Sequence, residues 1–489
     1  MALDPSDGSR LSPTSDTAIP VHHASLSISQ QASSGAAQQT SARVRKASEP
    51  ELDEDRSSGR SMKKARTQSP HNAAAYATTV LARFGISPGY DLSQLSSGDA
   101  TVLLDQIYTH LQNHAPGSDE YPHILRLLQD CSFYTGALPT AFILKNVVFD
   151  RKDRLGRGGD VIVYQGRMGR QSVVVRETVI GAQGGKGTLD LEVVQLVHRE
   201  AITHRQLQHP NILPFLGIHR EDDSSYPLTI LPFVERGSLD DMLAGLDRDV
   251  LIGLPDFVKI LVGCSRGLVY LHSRTPPIVH GDLHPGNVLI GGGINPLLCD
   301  FGRSRIRHDV SRGLTNHKDL EGGRLRFLAP ELWDSQSDHF CPTQASDVFA
   351  LAMMYLNVWS NQLPFAEITI NRQVTAALNG GLRPLEPTKA VSLDPETREN
   401  FWKLLGNMWA HQTIKRPSGN HVLEQLELIF YQFKNHYPSG DANFQQLHSN
   451  DSDIPWSPQL QQHSTSGIRL PDHNGMGSFT GNSKYRYLI

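Results

Sequence analysis

The chain has 489 residues, a formal net charge of −4, 38% hydrophobic and 20% charged residues. This length is more than one core usually serves, so it predicts two or three units or one domain with long tails. The slightly acidic balance disfavours whole-chain binding to polyanions, and we expect no direct nucleic-acid binding. The first thirty residues have no apolar stretch, and the longest apolar run, Val348 to Leu356, is too short to span a bilayer, so we expect a cytoplasmic protein without membrane contact.

Residues 1–70 are rich in Ser, Gln, Ala, Pro and Asp and nearly lack aromatic residues. Such a composition buries too little apolar surface to offset the entropy of ordering, so we predict a disordered tail. Two basic clusters, 43–46 and 63–66, flank an acidic stretch. They are consistent with a solvated charge run or with a bipartite nuclear-import signal, which leaves the nucleus as an alternative location. Residues 437–489 return to a polar composition and are also predicted to be disordered.

Residues 71–143 have a helical pattern. The stretch from Thr101 to His114 follows a Ser-Gly-Asp start suitable for an N-cap, and its apolar residues fall largely on one predicted face: Val102, Leu103, Ile107, Tyr108 and Leu111. A second short helix is predicted around Ile124 to Leu128. We expect a small helical lead-in packed against the next domain, with an independent partner-binding module as the alternative.

Four cysteines lie far apart, without a CxxC pair and without histidine clusters at zinc spacing. This spacing favours buried, reduced thiols over disulfides or a metal site. The four are Cys131, Cys264, Cys299 and Cys341.

From residue 144 the pattern begins with strands and turns helical after about Leu239. A glycine-rich turn, Gly156 to Asp160, lies between two predicted strands. Glycines there let backbone N–H groups approach phosphate oxygens without side-chain obstruction. Because glycine-rich hairpins are common, this turn indicates a phosphate-binding site only together with the ordered motifs that follow.

Those motifs place charged residues at the ends of apolar segments. In chain order they are Val173-Val174-Val175-Arg176, Arg199-Glu200 opening a helical run, His209-Pro210-Asn211-Ile212, the strand Leu228 to Val234, His280-Gly281-Asp282 with Asn287 five positions later, Asp300-Phe301-Gly302, and Ala329-Pro330-Glu331. This order resembles the protein-kinase signature set, and the resemblance spans Gly156 to Arg416. It is most similar to the tyrosine-kinase-like group of Ser/Thr kinases in its fungal form.

The resemblance implies an α+β, bilobal protein kinase fold over residues 144–436, with a β-rich N-lobe and a helical C-lobe. It implies ATP and Mg²⁺ as cofactors and a protein substrate or signalling partner. In that scheme Asp300 and Asn287 hold Mg²⁺, and Asp282 orients the acceptor hydroxyl and takes its proton. Glu200 pairs with Arg176, which lies against the nucleotide phosphates.

The resemblance also implies a set of nucleotide-binding positions. Leu231 takes the gatekeeper position, and Phe233 and Val234 belong to the hinge. The full set is Gly156, Gly158, Gly159, Val163, Val174, Leu231, Phe233, Val234 and Leu289. Asp347 and an Arg416–Glu331 ion pair are implied as structural.

Four positions depart from the family pattern. Arg176 replaces a lysine, Val161 a glycine of the loop, His284 the catalytic-loop lysine and Arg324 a threonine. The planar arginine fork does not replace a compact ammonium, and a histidine is often neutral near pH 7.

Gly281 replaces an arginine, so we expect that the segment 303–328 is not switched by phosphate–arginine pairing. Its candidate phosphorylation sites are Ser304, Ser311 and Thr315.

Three hypotheses follow. The first is a slow, ATP-dependent kinase acting on protein Ser or Thr hydroxyls. The second is a pseudokinase that binds nucleotide or partners as a scaffold or regulator without catalysis. The third makes the tails and the helical lead-in the functional part.

Overall fold

A computed structural model describes residues 81–82, 86–87, 90–158, 161–179, 191–222, 225–246, 250–302, 304–306, 322–333 and 341–436. Both predicted tails lie outside these residues, as do the basic clusters 43–46 and 63–66, Gly159, Ser311 and Thr315.

Five strands form an antiparallel sheet: β1 Val147–Gly158, β2 Val161–Met168, β3 Gln171–Thr178, β4 Gly217–His219 and β5 Leu228–Pro232. Their order across the sheet is β1-β2-β3-β5-β4. Strand β3 lies between two neighbours and is buried from Val173 through Arg176. Because successive side chains point to opposite faces, Val173 and Val175 belong to one core cluster, and Val174 belongs to the other.

The helices of the described chain are α1 Ser97–Gln112, α2 Tyr121–Thr135, α3 Leu191–Arg205, α4 Leu239–Ala244, α5 Leu254–Ser273, α6 Gln344–Ser360, α7 Asn371–Asn379, α8 Pro395–Met408 and α9 Gly419–His436. Helix α6 is buried from Ser346 to Ser360, as expected of a helix at the centre of a lobe. Its polar side chains find partners there: the Tyr355 hydroxyl donates to the Leu261 carbonyl at 2.7 Å, and Trp359 Nε1 donates to the Val391 carbonyl at 3.0 Å.

Two short antiparallel pairs connect the sheet to the helical lobe. Strand β6 (Ile278–Val279) pairs with β9 (Arg305–Ile306), and β7 (Val288–Ile290) pairs with β8 (Pro296–Leu298). These pairings bring the loop that follows β6 beside the loop that follows β8. The predicted catalytic and metal-binding residues lie on these two loops.

The lead-in helices α1 and α2 pack on the outer side of the sheet lobe. Ser96 caps α1 by accepting the Asp99 N–H at 3.2 Å. The predicted apolar face of α1 is wrong at Val102, which is 57% exposed, whereas Leu104 is fully buried. Leu104 lies at helical spacing from Ile107 and Leu111, so it shares their face, and Val102 does not.

Cys131, Cys264 and Cys299 are buried free thiols, but Cys341 is exposed, so the prediction of four buried thiols is wrong at that position. Within the part of the chain that the structure describes, no helix combines the length and apolarity needed to cross a membrane.

Candidate active site

A small, partly open cavity lies between the sheet and the helical lobe. Apolar side chains form one wall, and ionisable groups converge at the other. The lining residues are Val174, Arg176, Glu200, His204, Leu213, Leu231, Pro232, Leu289, Cys299 and Asp300. A largely apolar recess with a few converging charged groups is the usual form of a small-molecule site.

Arg176 joins three parts of the fold at this cavity. It extends from β3, and its Nη1 donates to Glu200 Oε2 on α3 at 2.8 Å. Its Nη2 donates to Asp300 Oδ1 at 3.1 Å. The Arg176 and Glu200 side chains are 6% and 7% exposed, and Asp300 is 12% exposed. One guanidinium therefore connects the sheet, helix α3 and the loop after β8.

The electrostatics of this triad follow from burial and mutual attraction. Burial by itself would lower the pKa of Arg176, but Glu200 and Asp300 outweigh it, and the net pKa is raised. Burial by itself would raise the pKa of Asp300, but the attraction of Arg176 and Arg324 outweighs burial and lowers this pKa to about 2. For Glu200 burial outweighs Arg176, and its pKa is raised. Asp300 is therefore the carboxylate that stays ionised most firmly.

Asp300 also has an unusual backbone. Its φ of 60° lies in the left-handed region, where residues other than glycine are uncommon. Its Oδ1 accepts the Gly302 N–H at 3.2 Å, which helps to hold this conformation. Strain of this kind concentrates at functional sites, so it agrees with a functional role for the loop.

Asn287 is fully buried beside Asp282. Its side-chain Nδ2 donates to the backbone carbonyl of Asp282 at 2.8 Å, and its backbone carbonyl accepts the Cys299 N–H at 3.0 Å. Its Oδ1 is buried without a hydrogen-bond partner. A buried amide oxygen without a partner costs free energy, so a ligand at this position would satisfy it.

Asp347, near the start of α6, holds the backbone of the loop that follows β6. Asp347 Oδ2 accepts the His280 N–H at 2.8 Å, and Oδ1 accepts the Gly281 N–H at 2.9 Å. His272 Nε2 lies 2.9 Å from the same carboxylate. Gly281 has a φ of 79°, which glycine adopts without strain, so position 281 contributes backbone to this anchor.

His284 is a buried neutral side chain. Its Nδ1 accepts the Gly286 N–H at 3.1 Å, which assigns the ring proton to Nε2, and Nε2 is buried without a partner. Burial lowers the pKa of His284 to about 4, although Asp282 opposes this shift. At neutral pH the site has a hydrogen-bond donor here and no cation.

A cation does lie near Asp282, but it comes from another segment. Arg324 Nη1 is 3.7 Å from Asp282 Oδ2, and the Arg324 side chain is 27% exposed. This distance is that of an ion pair without a close hydrogen bond. Arg324 can therefore attract either the Asp282 carboxylate or an anion bound beside it.

His204 on α3 is a site residue that the sequence analysis missed. Its ring centroid lies 4.7 Å from that of Phe301, which in turn lies 5.3 Å from that of His280. Its Nε2 lies 2.6 Å from the Leu213 carbonyl, and burial lowers its pKa to about 4. Its position one helical turn after Glu200 could have revealed it, because such residues share a face. Leu213 and Cys299 line the cavity without a comparable sequence signal.

Three of the nine predicted nucleotide-binding residues line this cavity: Val174, Leu231 and Leu289. With Val163 and Val234 they belong to one buried core cluster, and Phe233 packs against that cluster. Gly156 and Gly158 lie in β1, opposite Val163 and Val161 of β2. Ser304 is buried, and its hydroxyl donates to the Phe301 carbonyl at 2.6 Å, which removes it from the candidate phosphorylation sites.

The residues present fit a nucleotide-bound Mg²⁺ ion. Mg²⁺ keeps several waters and needs only one or two protein oxygens when phosphates supply others. The unpartnered Oδ1 of Asn287 and the ionised Asp300 are such oxygens. Among the described residues, no group of three or more His, Cys, Asp or Glu side chains could hold a metal on its own.

The chain is similar in sequence to several known protein kinases. The chain is 26% identical to the serine/threonine-protein kinase TNNI3K of Mus musculus over 290 residues, which cover 59% of this chain and 32% of that protein. It is 26% identical to the serine/threonine-protein kinase STY46 of Arabidopsis thaliana over 287 residues, covering 58% and 44%. It is 26% identical to receptor-interacting serine/threonine-protein kinase 2 of Bos taurus over 239 residues, covering 49% and 44%. The chain thus spans less than half the length of each relative.

Residues 149–426, more than half of the chain, match the protein kinase domain family. The match begins at the third residue of β1, covers the rest of the five-stranded sheet and extends through the helical lobe into α9. With the two-lobed α+β architecture and the cavity between the lobes, this shows that the chain belongs to the protein kinase domain family.

Proposed function

We propose that this domain binds ATP with Mg²⁺ and transfers the γ-phosphate, slowly, to Ser or Thr hydroxyls of a protein substrate in signal transduction. The Ser/Thr preference rests on the names of the relatives. The observation that carries the proposal is the Asn287 amide. Its nitrogen holds the backbone of Asp282, and its oxygen is left for a ligand, so one side chain couples the candidate base to the candidate metal site.

The chain's own residues would divide the work as follows. Val174, Leu231 and Leu289 offer an apolar recess for a base, and Arg176 offers positive charge at its inner end. Asn287 and Asp300 would hold the Mg²⁺ ion, which when bound neutralises charge on the phosphates. Asp282 would orient the acceptor hydroxyl and take its proton, and Arg324 lies near enough to attract the transferred group.

We expect slow turnover because two of the groups that would hold the phosphates differ from the family pattern. His284 supplies a neutral donor where the family pattern has a cation, and Arg176 is already paired with both carboxylates. Missing one well-placed cation at a phosphoryl-transfer site costs roughly 10³ to 10⁵ in rate. Arg324 offsets part of that loss if its charge reaches the phosphate.

The second candidate is a pseudokinase that binds nucleotide, or only partners, and acts as a scaffold. The Arg176–Asp300 ion pair favours it, because this pair occupies an oxygen that a metal would need. The Arg324–Asp282 pair favours it as well, since the Arg324 cation would compete with an acceptor hydroxyl for the Asp282 carboxylate.

One experiment separates the two. The full chain is tested for thermal stabilisation by ATP with Mg²⁺ and for phosphate transfer beside an Asp282→Asn variant. Stabilisation together with transfer that Asp282→Asn abolishes supports the kinase. Stabilisation without Asp282-dependent transfer supports the pseudokinase, and the absence of both results refutes nucleotide binding.

We propose a cytoplasmic location, with nuclear import as the alternative if the clusters 43–46 and 63–66 act as a signal. Replacing both clusters with alanine in a fluorescent fusion should leave a cytoplasmic protein unchanged. Loss of a nuclear signal would support import.

A further inference from the structure

The helices α1 and α2, which we call the lead-in pair (Ser97–Gln112 and Tyr121–Thr135), lie outside the residues that match the kinase family. Yet α2 is the element with which α3 makes its most extensive contact, ahead of strands β4 and β5. Helix α3 carries Glu200, the partner of Arg176. A segment that precedes the family domain is therefore packed against the helix that completes the candidate active site.

Polar contacts between α2 and α3 run the length of both helices. At one end the Tyr121 hydroxyl donates at 2.9 Å to Oε1 of Gln206, the residue that directly follows α3. In the middle Gln129 Nε2 donates to Thr203 Oγ1 at 3.3 Å. At the other end Gln195 Nε2 donates to the Phe133 carbonyl at 2.9 Å. The numbers rise along α2 as they fall along α3, so the helices lie antiparallel, and we call these three contacts the seam.

A buried histidine strengthens the same contact. His198 on α3 is 2% exposed; its Nδ1 lies 3.5 Å from the Ser132 hydroxyl of α2, and its Nε2 lies 3.2 Å from Arg220 Nη2. Burial lowers the pKa of His198 to about 3, so it is neutral and can accept from Arg220. The ring thereby ties α2, α3 and the segment after β4 together.

Helix α1, the first helix of the lead-in pair, contacts the segment that leads into the sheet. The Tyr108 ring meets the buried Phe142 ring edge-on at a centroid distance of 5.0 Å, and Asp105 accepts the Thr140 N–H at 2.6 Å. The Arg205 guanidinium at the end of α3 lies 5.8 Å from the Phe142 ring centroid. Helix α1 and the end of α3 are thus packed against the same ring, in the segment that leads into the sheet that holds Arg176.

The opposite side of α3 faces the cavity. Glu200 and His204 line it, and Glu200 Oε2 lies 2.8 Å from Arg176 Nη1. A displacement of α3 by a few ångströms would break this hydrogen bond, because N–H···O bonds have donor–acceptor distances of about 2.7 to 3.2 Å. The position of α3 therefore decides whether Arg176 is placed for a nucleotide.

We propose that the lead-in pair is a built-in positioning element of the nucleotide site: through the seam it holds α3 so that Glu200 engages Arg176. The inference rests on the proposed nucleotide binding. If loosening the seam lowers the population of the paired arrangement to a tenth, the apparent nucleotide affinity falls about tenfold.

The test uses the full chain with a seam variant, Tyr121→Phe, Gln129→Ala and Gln195→Ala, which removes the three contacts without opening a large cavity. The matched control is Arg126→Ala with Asp130→Ala, an exposed i,i+4 pair on the same helix whose mutual contact is within α2. Dissociation constants for ATP with Mg²⁺ are measured by calorimetry, and backbone hydrogen exchange of residues 191–205 is followed in parallel.

We expect the seam variant to bind about tenfold more weakly, with faster exchange in α3, and the control to match the wild type. The same three substitutions in a Glu200→Gln background should change the affinity less than about twofold, because the pair they protect is already lost. A purely structural role would not produce this coupling.

Unchanged affinity in the seam variant overturns the inference whether or not α3 exchanges faster, and so does an equal loss of affinity in both backgrounds. If the wild-type chain binds no nucleotide, the proposed function fails instead. Binding by the wild type together with unchanged binding by the seam variant removes only the positioning role.

Discussion

Arg176 Nη2 lies 3.1 Å from Asp300 Oδ1, so the cation on the sheet bonds directly to the carboxylate that is the candidate metal ligand. The other terminal nitrogen bonds Glu200, and a lysine ammonium would have to make both contacts from one atom. Arginine at position 176, where the family pattern has lysine, thus keeps the positive charge but changes the geometry of its contacts. It makes the three-way ion pair itself a candidate for the control of nucleotide binding.

Replacing Arg176 with methionine should destabilise the fold strongly. It leaves Glu200 and Asp300 buried without their cation, and removing one partner of a buried ion pair costs about 3 to 5 kcal/mol. Arg176→Lys should cost less, because the charge remains. Urea unfolding measures the free energies. The control is Arg151→Met, because the Arg151 side chain is 48% exposed and such surface ion pairs are worth about 0 to 1 kcal/mol each. Equal losses for Arg176→Met and Arg151→Met would contradict the buried triad.

Replacing Asp300 with asparagine should remove the Mg²⁺-dependent part of nucleotide binding. Thermal stabilisation by ATP follows the ratio of ligand concentration to dissociation constant, so a loss of metal coordination shows as a smaller shift. We expect the shift of the variant in Mg²⁺ to resemble that in chelator. Asp256→Asn, an exposed residue paired with Lys259, is the control. A full Mg²⁺-dependent shift in Asp300→Asn would place the ion elsewhere.

Replacing Arg324 with glutamine tests which group its charge serves. If Arg324 attracts the transferred phosphate, the variant should lose kcat by about 10- to 100-fold, in the range of a lost catalytic cation or less. If it instead restrains Asp282, from which it lies 3.7 Å, kcat should rise. Steady-state phosphate transfer with saturating ATP measures the change. An unchanged kcat would assign Arg324 to neither task.

Stability should fall as the pH drops from 6.5 towards 4. Burial lowers the pKa of His198 to about 3 and those of His204 and His284 to about 4, below the ordinary 6.5. Between these values the unfolded chain binds more protons than the folded chain, so the stability present above pH 6.5 is lost on acidification. Each histidine contributes at most about 1.4 kcal/mol per pH unit.

The raised pKa of Glu200 works in the opposite direction, so the histidine contribution is measured as a difference between proteins. Urea unfolding of the wild type and of His284→Asn at several pH values between 4.5 and 7 gives that difference. The slope of the free energy of unfolding against pH should be smaller in the variant than in the wild type by up to about 1.4 kcal/mol per pH unit, which is the contribution of one proton. Identical slopes would show that His284 is not buried as a neutral ring.

The lead-in helices also change how the chain can be divided. The sequence predicts a boundary between residues 143 and 144 that separates them from the kinase domain. In the structure Leu104, Ile107 and Leu128 share a core cluster with Val197 and Ile202 of α3. A cut there would expose this cluster to water, so activity is best tested on the full chain.

The order of the kinase motifs, the α+β fold and the identities of the charged residues could be predicted from the sequence, because each depends on local patterns. The alternation in β3 and the apolar segments around Asp282 and Asp300 are visible within a few positions. The apolar face of α1 was predicted less well, since the burial of Leu104 in place of Val102 depends on what packs against the helix.

Only the tertiary structure decided how the site is connected. Arg176 and Asp300 are 124 positions apart, Arg324 and Asp282 are 42 apart, and no local pattern indicates that either pair meets. The burial that makes His284 neutral and leaves Asn287 Oδ1 without a partner comes from segments that pack from elsewhere in the chain. The sequence by itself determined which chemical groups this protein has, whereas long-range packing determined their charges, their partners and the role of α2 beside α3.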